Sequence, residues 1–287
     1  MFVDSHCHLN FPEFHDPEHP ERWPEVLATM AANGVEHALC VSVSLEDWPD
    51  MMALVGRHAG LLSASVGVHP DYLDVAEPTV AQLVQLAMHP QVVAIGETGL
   101  DYYRMPAAEL DWQRERFRVH IRAAREAGKP LIIHTRAAAE DTIRLLREEG
   151  AGAAGGVMHC FTEDWEIARQ ALDIGFYISM SGIVSFKNAK TVHEVARRVP
   201  ADRLLIETDS PFLAPVPYRG KQNQPGWVAH VAEAVAALRQ VPVGEIGRIT
   251  TENYDRLFGR GRPAAGVIPA NTRIHGPGGD ECTHGPS

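Results

Sequence analysis

Eight short apolar runs recur along the chain, and most are rich in Val, Ile and Leu without strict alternation of polar residues. Runs of this kind are typical of strands that are buried on both faces of a parallel sheet. We therefore predict eight strands, at residues 2–6, 35–44, 61–69, 92–97, 130–134, 156–161, 176–181 and 203–209.

Longer segments with helical spacing separate and follow these runs, and most end beside a Gly or Pro, the usual helix stop signals. They predict helices at residues 24–33, 47–59, 79–88, 107–127, 137–149, 165–173, 189–198, 227–240 and 242–258. Repeated strand-then-helix units indicate a parallel sheet, and eight of them favour an α/β fold of the (β/α)₈ TIM-barrel type. An open doubly wound sheet is the runner-up, but no GxGxxG motif follows the first strand.

The domain organisation follows from a change of character near the end of the chain. Residues 1–261 predict a single barrel domain, whereas residues 262–287 contain scattered Pro and Gly without periodicity and predict a disordered tail. No apolar run has membrane-spanning length, and no signal-peptide pattern precedes the first strand. We expect a cytoplasmic protein without a membrane partner or an obligate protein partner.

The net charge of −11 limits the partners of the chain. Non-specific binding to DNA depends on Lys and Arg that neutralise phosphates, so the balance excludes a general basic nucleic-acid surface. Two or more bound divalent cations reverse the local field, however. A metal-dependent phosphodiesterase that grips a few nucleotides therefore stays compatible with the charge.

The predicted strands carry chemically active side chains at their carboxyl ends. These are His6 and His8 on the first strand, then His69, Glu97, His134, His159 and Asp209. In a (β/α)₈ barrel all these ends meet on one face, where active sites form. Core packing alone predicts Val, Ile and Leu there, so the pattern indicates a site for several metal ions.

Imidazole and carboxylate ligands suit Zn²⁺ or Mn²⁺, and Mg²⁺ also fits the carboxylates. Glu97 is suited to bridge two ions, as two-metal hydrolysis requires. Asp209 is suited to bind metal and to orient or deprotonate the attacking water. The basic and aromatic residues that follow strand ends are candidates for phosphate or base contacts. They are Tyr102, Tyr103, Arg136, Tyr218, Arg219 and Lys221.

Several motifs, in order from residue 2 to residue 258, resemble those of the TatD family of deoxyribonucleases in the amidohydrolase superfamily. They are VDSHCHLN, SVGVHP, IGETGLDYYR, PLIIHTR, GVMHCFT, GFYISMSGIVSFKNA, LLIETDSPFLAPVPYRGK and TTENYDRLF. Many superfamily members bridge their metals with a carboxylated Lys on strand 4, and this chain carries Glu97 there instead. Two positions depart from the family pattern, Asn10 in place of Asp and Gln224 in place of Glu.

The resemblance implies a (β/α)₈ barrel and DNA hydrolysis that depends on Mg²⁺ or Mn²⁺, often from the 3′ end. It implies the metal ligands His6, His8, Glu97, His134, His159 and Asp209. It also places His69 in the active site, where we expect it to donate to a substrate phosphate.

Two other functions stay open at this point. One is hydrolysis of a C–N or C–O bond in a small molecule or an aminoacyl ester, since the same metals serve that chemistry. The other is a non-catalytic binding module, which does not need all of the ligands that are present here.

Overall fold

The strands that position the site pair in parallel and in chain order, from the first to the eighth. The structure, a computed structural model, describes residues 1–15, 22–104 and 106–259; the predicted tail at 262–287 lies outside these ranges. Within them the strands are β1 (Phe2–Cys7), β2 (Val35–Cys40), β3 (Leu62–Val66), β4 (Val92–Asp101), β5 (Leu131–Arg136), β6 (Gly156–Met158), β7 (Tyr177–Met180) and β8 (Leu204–Ile206).

Helices alternate with these strands. They are α1 (Arg22–Ala32), α2 (Trp48–Arg57), α3 (Val80–Ala87), α4 (Asp111–Ala127), α5 (Ala139–Glu148), α6 (Trp165–Asp173), α7 (Lys190–Arg198), α8 (Val228–Arg239) and α9 (Val243–Leu257). Short 3₁₀ turns lie at Pro12–Phe14, Ala107–Glu109, Ala151–Ala153, Gly182–Ser185, Ala201–Arg203 and Pro225–Trp227. In the described ranges, no helix combines the length and the apolar character that crossing a membrane requires.

The first and last strands close the sheet into a barrel. The Ser5 hydroxyl donates to the Ile206 carbonyl at 3.0 Å, and the Thr208 N–H donates to the Asp4 carboxylate at 2.8 Å. A parallel bridge between Cys7 and Ser210 continues the seam toward the carboxyl ends of β1 and β8. The TIM-barrel prediction is confirmed, and the open doubly wound alternative is wrong.

Two apolar clusters hold the barrel. The larger one lies between the strands and the surrounding helices. The smaller one lies inside the barrel, where side chains such as Val3, Val93 and Leu205 meet Tyr254 of α9. The hydroxyl of Ser63 lies 2.8 Å from that of Tyr254, so this side chain of α9 also makes a polar contact with β3.

The predicted strand ends differ from those observed. β2, β3, β6 and β8 end three or four residues earlier than predicted, so His69, His159 and Asp209 lie in loops just past the last ladder pairs. β4 continues four residues past Glu97 to Asp101, because residues 98–101 pair with β5. The fourth helix begins at residue 111 instead of 107, since a 3₁₀ turn precedes it.

Candidate metal centre and catalytic site

Four ligand atoms converge where β1 meets the β4 and β8 segments. The Nε2 atoms of His6 and His8 lie 3.2 Å apart, and Glu97 Oε2 lies 3.3 Å from the first and 3.6 Å from the second. Asp209 Oδ1 lies 3.6 Å from His6 Nε2 and 3.4 Å from His8 Nε2. We call these four atoms the first donor group.

The other oxygen of Glu97 belongs to a second set of ligand atoms. Glu97 Oε1 lies 2.7 Å from His159 Nε2, 3.1 Å from His134 Nδ1 and 3.4 Å from His69 Nε2. We call these four atoms the second donor group. The seven residues that the strand ends predicted are therefore together, and Glu97 joins the two groups as a bridging carboxylate would.

The spacing of these atoms fits divalent ions. Ligands bound to one ion at about 2.1 Å lie roughly 3.0–3.4 Å apart in octahedral or tetrahedral arrangements. The pairs in the first donor group span 3.2–3.6 Å, close to that range. Imidazole nitrogens and carboxylate oxygens also suit Zn²⁺, Mn²⁺ and Mg²⁺, so the donor set can hold a metal ion in each group.

The ring orientation of three histidines aims a lone pair into these groups. His8 donates from Nδ1 to the Val41 carbonyl at 3.1 Å, which leaves Nε2 as the metal-binding nitrogen. His159 donates from Nδ1 to Glu207 at 3.2 Å, and His134 donates from Nε2 to Asp101 at 3.1 Å. Each of these partners fixes the tautomer that binds a metal.

His69 has the opposite orientation. Its Nδ1 accepts the Asp71 N–H at 3.1 Å, so in the neutral ring Nε2 carries the proton and points into the second donor group. Arg116 donates to the carbonyl of the same residue at 2.9 Å and holds the loop in place. A proton on the inward nitrogen suits a hydrogen-bond donor to substrate better than it suits a metal ligand.

Two functional carboxylates were missed by the sequence analysis. Asp101 contacts His134 as above, and its own N–H donates to Gln113 at 2.8 Å. Glu207 accepts from His159 and, at 2.7 Å, from the N–H of Cys160. Both are buried. Glu207 lies within the predicted strand at 203–209, and a carboxylate in such a run is a signal in the sequence, because Asp and Glu are seldom buried without partners.

Burial and neighbouring charges act in opposite directions on the groups of the cluster, so their pKa shifts differ. Burial opposes ionisation of Glu97, but the histidines around it lower its pKa well below the usual range. Burial likewise opposes ionisation of Asp209, yet contact with His8 lowers its pKa. Burial also lowers the pKa of His6 and His69, which keeps both rings neutral near pH 7. Burial opposes the protonated form of His8, His134 and His159, but the carboxylates around them raise the pKa of all three. Ionised carboxylates and neutral imidazoles are the forms that coordinate metals, so a metal competes with protons at these three rings.

Unusual backbone conformations bring these groups together. Asp209 has φ 57°, in the left-handed region that side chains other than Gly rarely adopt. Gly99 has φ 143°, and a Cβ there would collide with the carbonyl oxygen of His134. Only glycine lets β4 pass so close to β5 at the level of the site.

Three cationic side chains at the mouth lie over aromatic rings. Arg136 lies 3.7 Å above the ring centroid of Tyr103, and the other two pairs are Arg219 with Phe186 at 4.5 Å and Lys221 with Tyr218 at 5.5 Å. These pairs follow strands β4, β5, β7 and β8, so they lie on the face that carries the donor groups.

Tyr102, a predicted substrate contact, has other partners. Its hydroxyl donates to Asp141 at 2.7 Å and accepts from Arg114 at 3.0 Å, on helices outside the barrel. Tyr103, which is 65% exposed beneath Arg136, is better placed for substrate.

A (β/α)₈ barrel with buried imidazoles and carboxylates at the carboxyl ends of its strands is typical of a metal-dependent hydrolase. The chain belongs to the family of TatD-related DNases, whose model matches residues 3–259. The family that the motifs indicated is thereby confirmed.

Known relatives support this assignment. The chain is 50% identical over 259 residues to the metal-dependent hydrolase YcfH of Escherichia coli strain K12, covering 90% of this chain and 96% of that protein. It is 44% identical over 260 residues to the metal-dependent hydrolase YabD of Bacillus subtilis strain 168, with 90% and 99% covered. The crystal structure of YjjV, a TatD homologue from E. coli K12, superposes with a TM-score of 0.80 at 27% identity, covering 90% and 97% of the two chains.

Proposed function

We propose that this hydrolase cleaves phosphodiester bonds at DNA ends, removing nucleotides from the 3′ end with two or more divalent ions, Mg²⁺, Mn²⁺ or Zn²⁺. The proposal rests on Glu97, whose two oxygens belong to two different donor groups. Two-metal sites of this kind are common in phosphatases and nucleases. The cations over aromatic rings at the mouth add a surface that suits phosphates and bases.

The ligand roles follow from the two donor groups and, for His8, His134 and His159, from the tautomers as well. His6, His8 and Asp209 would hold one ion, His134 and His159 the other, and Glu97 both. Ions held by these residues would lower the pKa of a bound water and polarise the phosphoryl oxygen.

The remaining steps belong to this chain's own side chains. Asp209 is ionised near pH 7, and its side chain is 15% exposed, so it can accept the proton of the attacking water. His69 donates from Nε2 to a phosphate oxygen of the substrate. Arg136, Arg219 and Lys221 hold the flanking phosphates.

The test is the shortening of a 5′-labelled single-stranded oligonucleotide in the presence of each metal. We expect ladder products with Mg²⁺ or Mn²⁺ and none with EDTA. Asp209→Asn should slow cleavage by about 10²-fold or more, the usual contribution of a general base. Asp173→Asn is the matched control, because that carboxylate pairs with Arg169 on the outer helix α6. Metal analysis of both variants separates loss of the base from loss of the ion.

Wild-type rates from the Asp209→Asn protein with full metal content would overturn the role of Asp209. Absence of cleavage by the wild type with all three metals would overturn the nuclease proposal. A parallel screen of lactones, amides and aminoacyl esters then tests the small-molecule alternative, for which the same donor groups are suited.

A further inference from the structure

Two phenylalanines stand beside the first donor group in matching positions. Phe11 comes three residues after His8, and Phe212 comes three residues after Asp209. The Phe11 N–H donates to the His8 carbonyl at 3.2 Å, and the Phe212 N–H donates to the Asp209 carbonyl at 3.0 Å. The backbone of each Phe is therefore held beside a residue of the first donor group.

The rings form a continuous aromatic path from the donor group to solvent. The Phe11 ring stacks on the His8 ring with centroids 4.8 Å apart and planes at 16°. The Phe212 ring meets Phe11 edge-on at 6.1 Å and is 48% exposed. Side-chain hydrogen bonds hold the backbone there, since buried Asn223 donates to the Phe212 carbonyl at 2.6 Å.

The ring of Phe212 is about half exposed, so it contributes little to the apolar core although its backbone is held in place. Among the large apolar side chains that are exposed in the described ranges, two are aromatic, Tyr103 and Phe212, and both lie at the mouth. The ring of Tyr103 carries a cation, as do those of Phe186 and Tyr218. In the described part of the chain, no cation lies over Phe11 or Phe212, so this pair offers a bare apolar face.

We infer that the Phe11–Phe212 pair is a stacking subsite for a nucleobase beside the scissile phosphate. The inference rests on the proposed function, and it assigns different parts of the substrate to the two kinds of aromatic ring at the mouth. Rings that carry cations serve the phosphates, and the bare rings serve a base. Stacking of this kind tolerates every base, because each has a π face.

The experiment compares substrates that differ in one base. The 5′-labelled oligonucleotides carry a normal 3′ end, an abasic last nucleotide or an abasic second-last nucleotide. Phe212→Ala should raise KM for the normal end by roughly 5- to 150-fold, the range for loss of one base stack. One of the two abasic substrates lacks the base that stacks on Phe212, and for that substrate the substitution should leave KM unchanged. Phe212→Trp should keep wild-type affinity, whereas Phe212→Leu should behave like Phe212→Ala.

Met88→Ala is the control, because Met88 is 74% exposed at the end of α3, on the opposite end of the barrel. Thermal melts show that each variant is folded. A loss of the same size on all three substrates overturns the stacking subsite, and so does an unchanged KM in Phe212→Ala.

A binding measurement keeps this outcome separate from that of the nuclease proposal. Fluorescence anisotropy in Ca²⁺ gives the Kd of each oligonucleotide without cleavage. If the wild type cleaves no DNA yet binds the normal end more tightly than an abasic one, and Phe212→Ala abolishes the difference, the subsite stands and the nuclease proposal falls. Equal affinities of the wild type for all three oligonucleotides overturn the subsite.

Discussion

The buried carboxylate of Glu207 offers a direct test of how the second donor group is organised. We expect Glu207→Gln to weaken metal binding, although Glu207 is not one of the proposed ligands. The Glu207 carboxylate accepts from His159 Nδ1 at 3.2 Å and from the Cys160 N–H at 2.7 Å. It thereby fixes the ring of His159 and makes its inward nitrogen more basic.

The magnitude follows from what each substitution removes. Glutamine keeps the shape and one acceptor oxygen but loses the charge, so metal affinity should fall about 10-fold, the lower end for a residue that orients a ligand. Glu207→Ala leaves both donors without an acceptor where the native side chain is fully buried. Affinity should then fall about 100-fold, and each unsatisfied donor should reduce the free energy of unfolding by about 1–3 kcal/mol.

Calorimetric titration of the metal-free protein with Mn²⁺ measures the affinity. Cleavage rates at increasing Mn²⁺ show whether excess metal restores activity, as it should when only affinity is lost. Glu252→Gln is the control, because that carboxylate is exposed and pairs with Arg248 on α9. Wild-type affinity in Glu207→Gln, with the control also unchanged, would falsify the positioning role.

Two further predictions concern the support of the site. Gly99→Ala should destabilise the protein by at least about 2 kcal/mol and displace His134, because the added Cβ collides with the carbonyl of that residue. Urea unfolding and metal content check this, with Gly244→Ala as a control at which the Cβ meets nothing. Burial lowers the pKa of His120 to about 4, so the folded protein resists protonation and loses stability as the pH falls below 6.5. His120→Gln should lose about 2 kcal/mol less than the wild type between pH 7 and pH 5 in the same unfolding assay, and equal losses would contradict the prediction.

The gathering of the reactive side chains was predictable because the residue types change abruptly near the strand ends. Six of the eight apolar runs give way to His, Glu or Asp at the point where the barrel opens, and the (β/α)₈ geometry brings these points together. Glu97 and His134 illustrate this, since each lies within an observed strand and points into the cluster. Periodicity and motif order were sufficient for the fold, the family and the approximate place of the site.

Asp101 was missed because the residues after Glu97 resemble a turn. The segment Thr98–Asp101 contains Gly99, and the apolar run stops before it. In the structure Gly96 and Gly99 both have positive φ, and β4 remains paired with β5 through this bend. The hydrogen-bond partners of Tyr102 could not be predicted from the sequence either. They come from α4 and α5, and local sequence does not show how these helices pack against β4.

In the segment that holds Glu207 and Asp209, the alternation of side chains along a strand does not predict which histidine each carboxylate contacts. Residues two apart on a strand share a face. These two carboxylates reach the same cluster but contact different histidines, His159 and His8. The reason is that β8 ends at Ile206, and the left-handed conformation of Asp209 turns the chain inward. Beyond the last ladder pair, distant contacts set the direction of each side chain. Local sequence can therefore nominate both carboxylates, but only the folded structure separates a metal ligand from the residue that orients one.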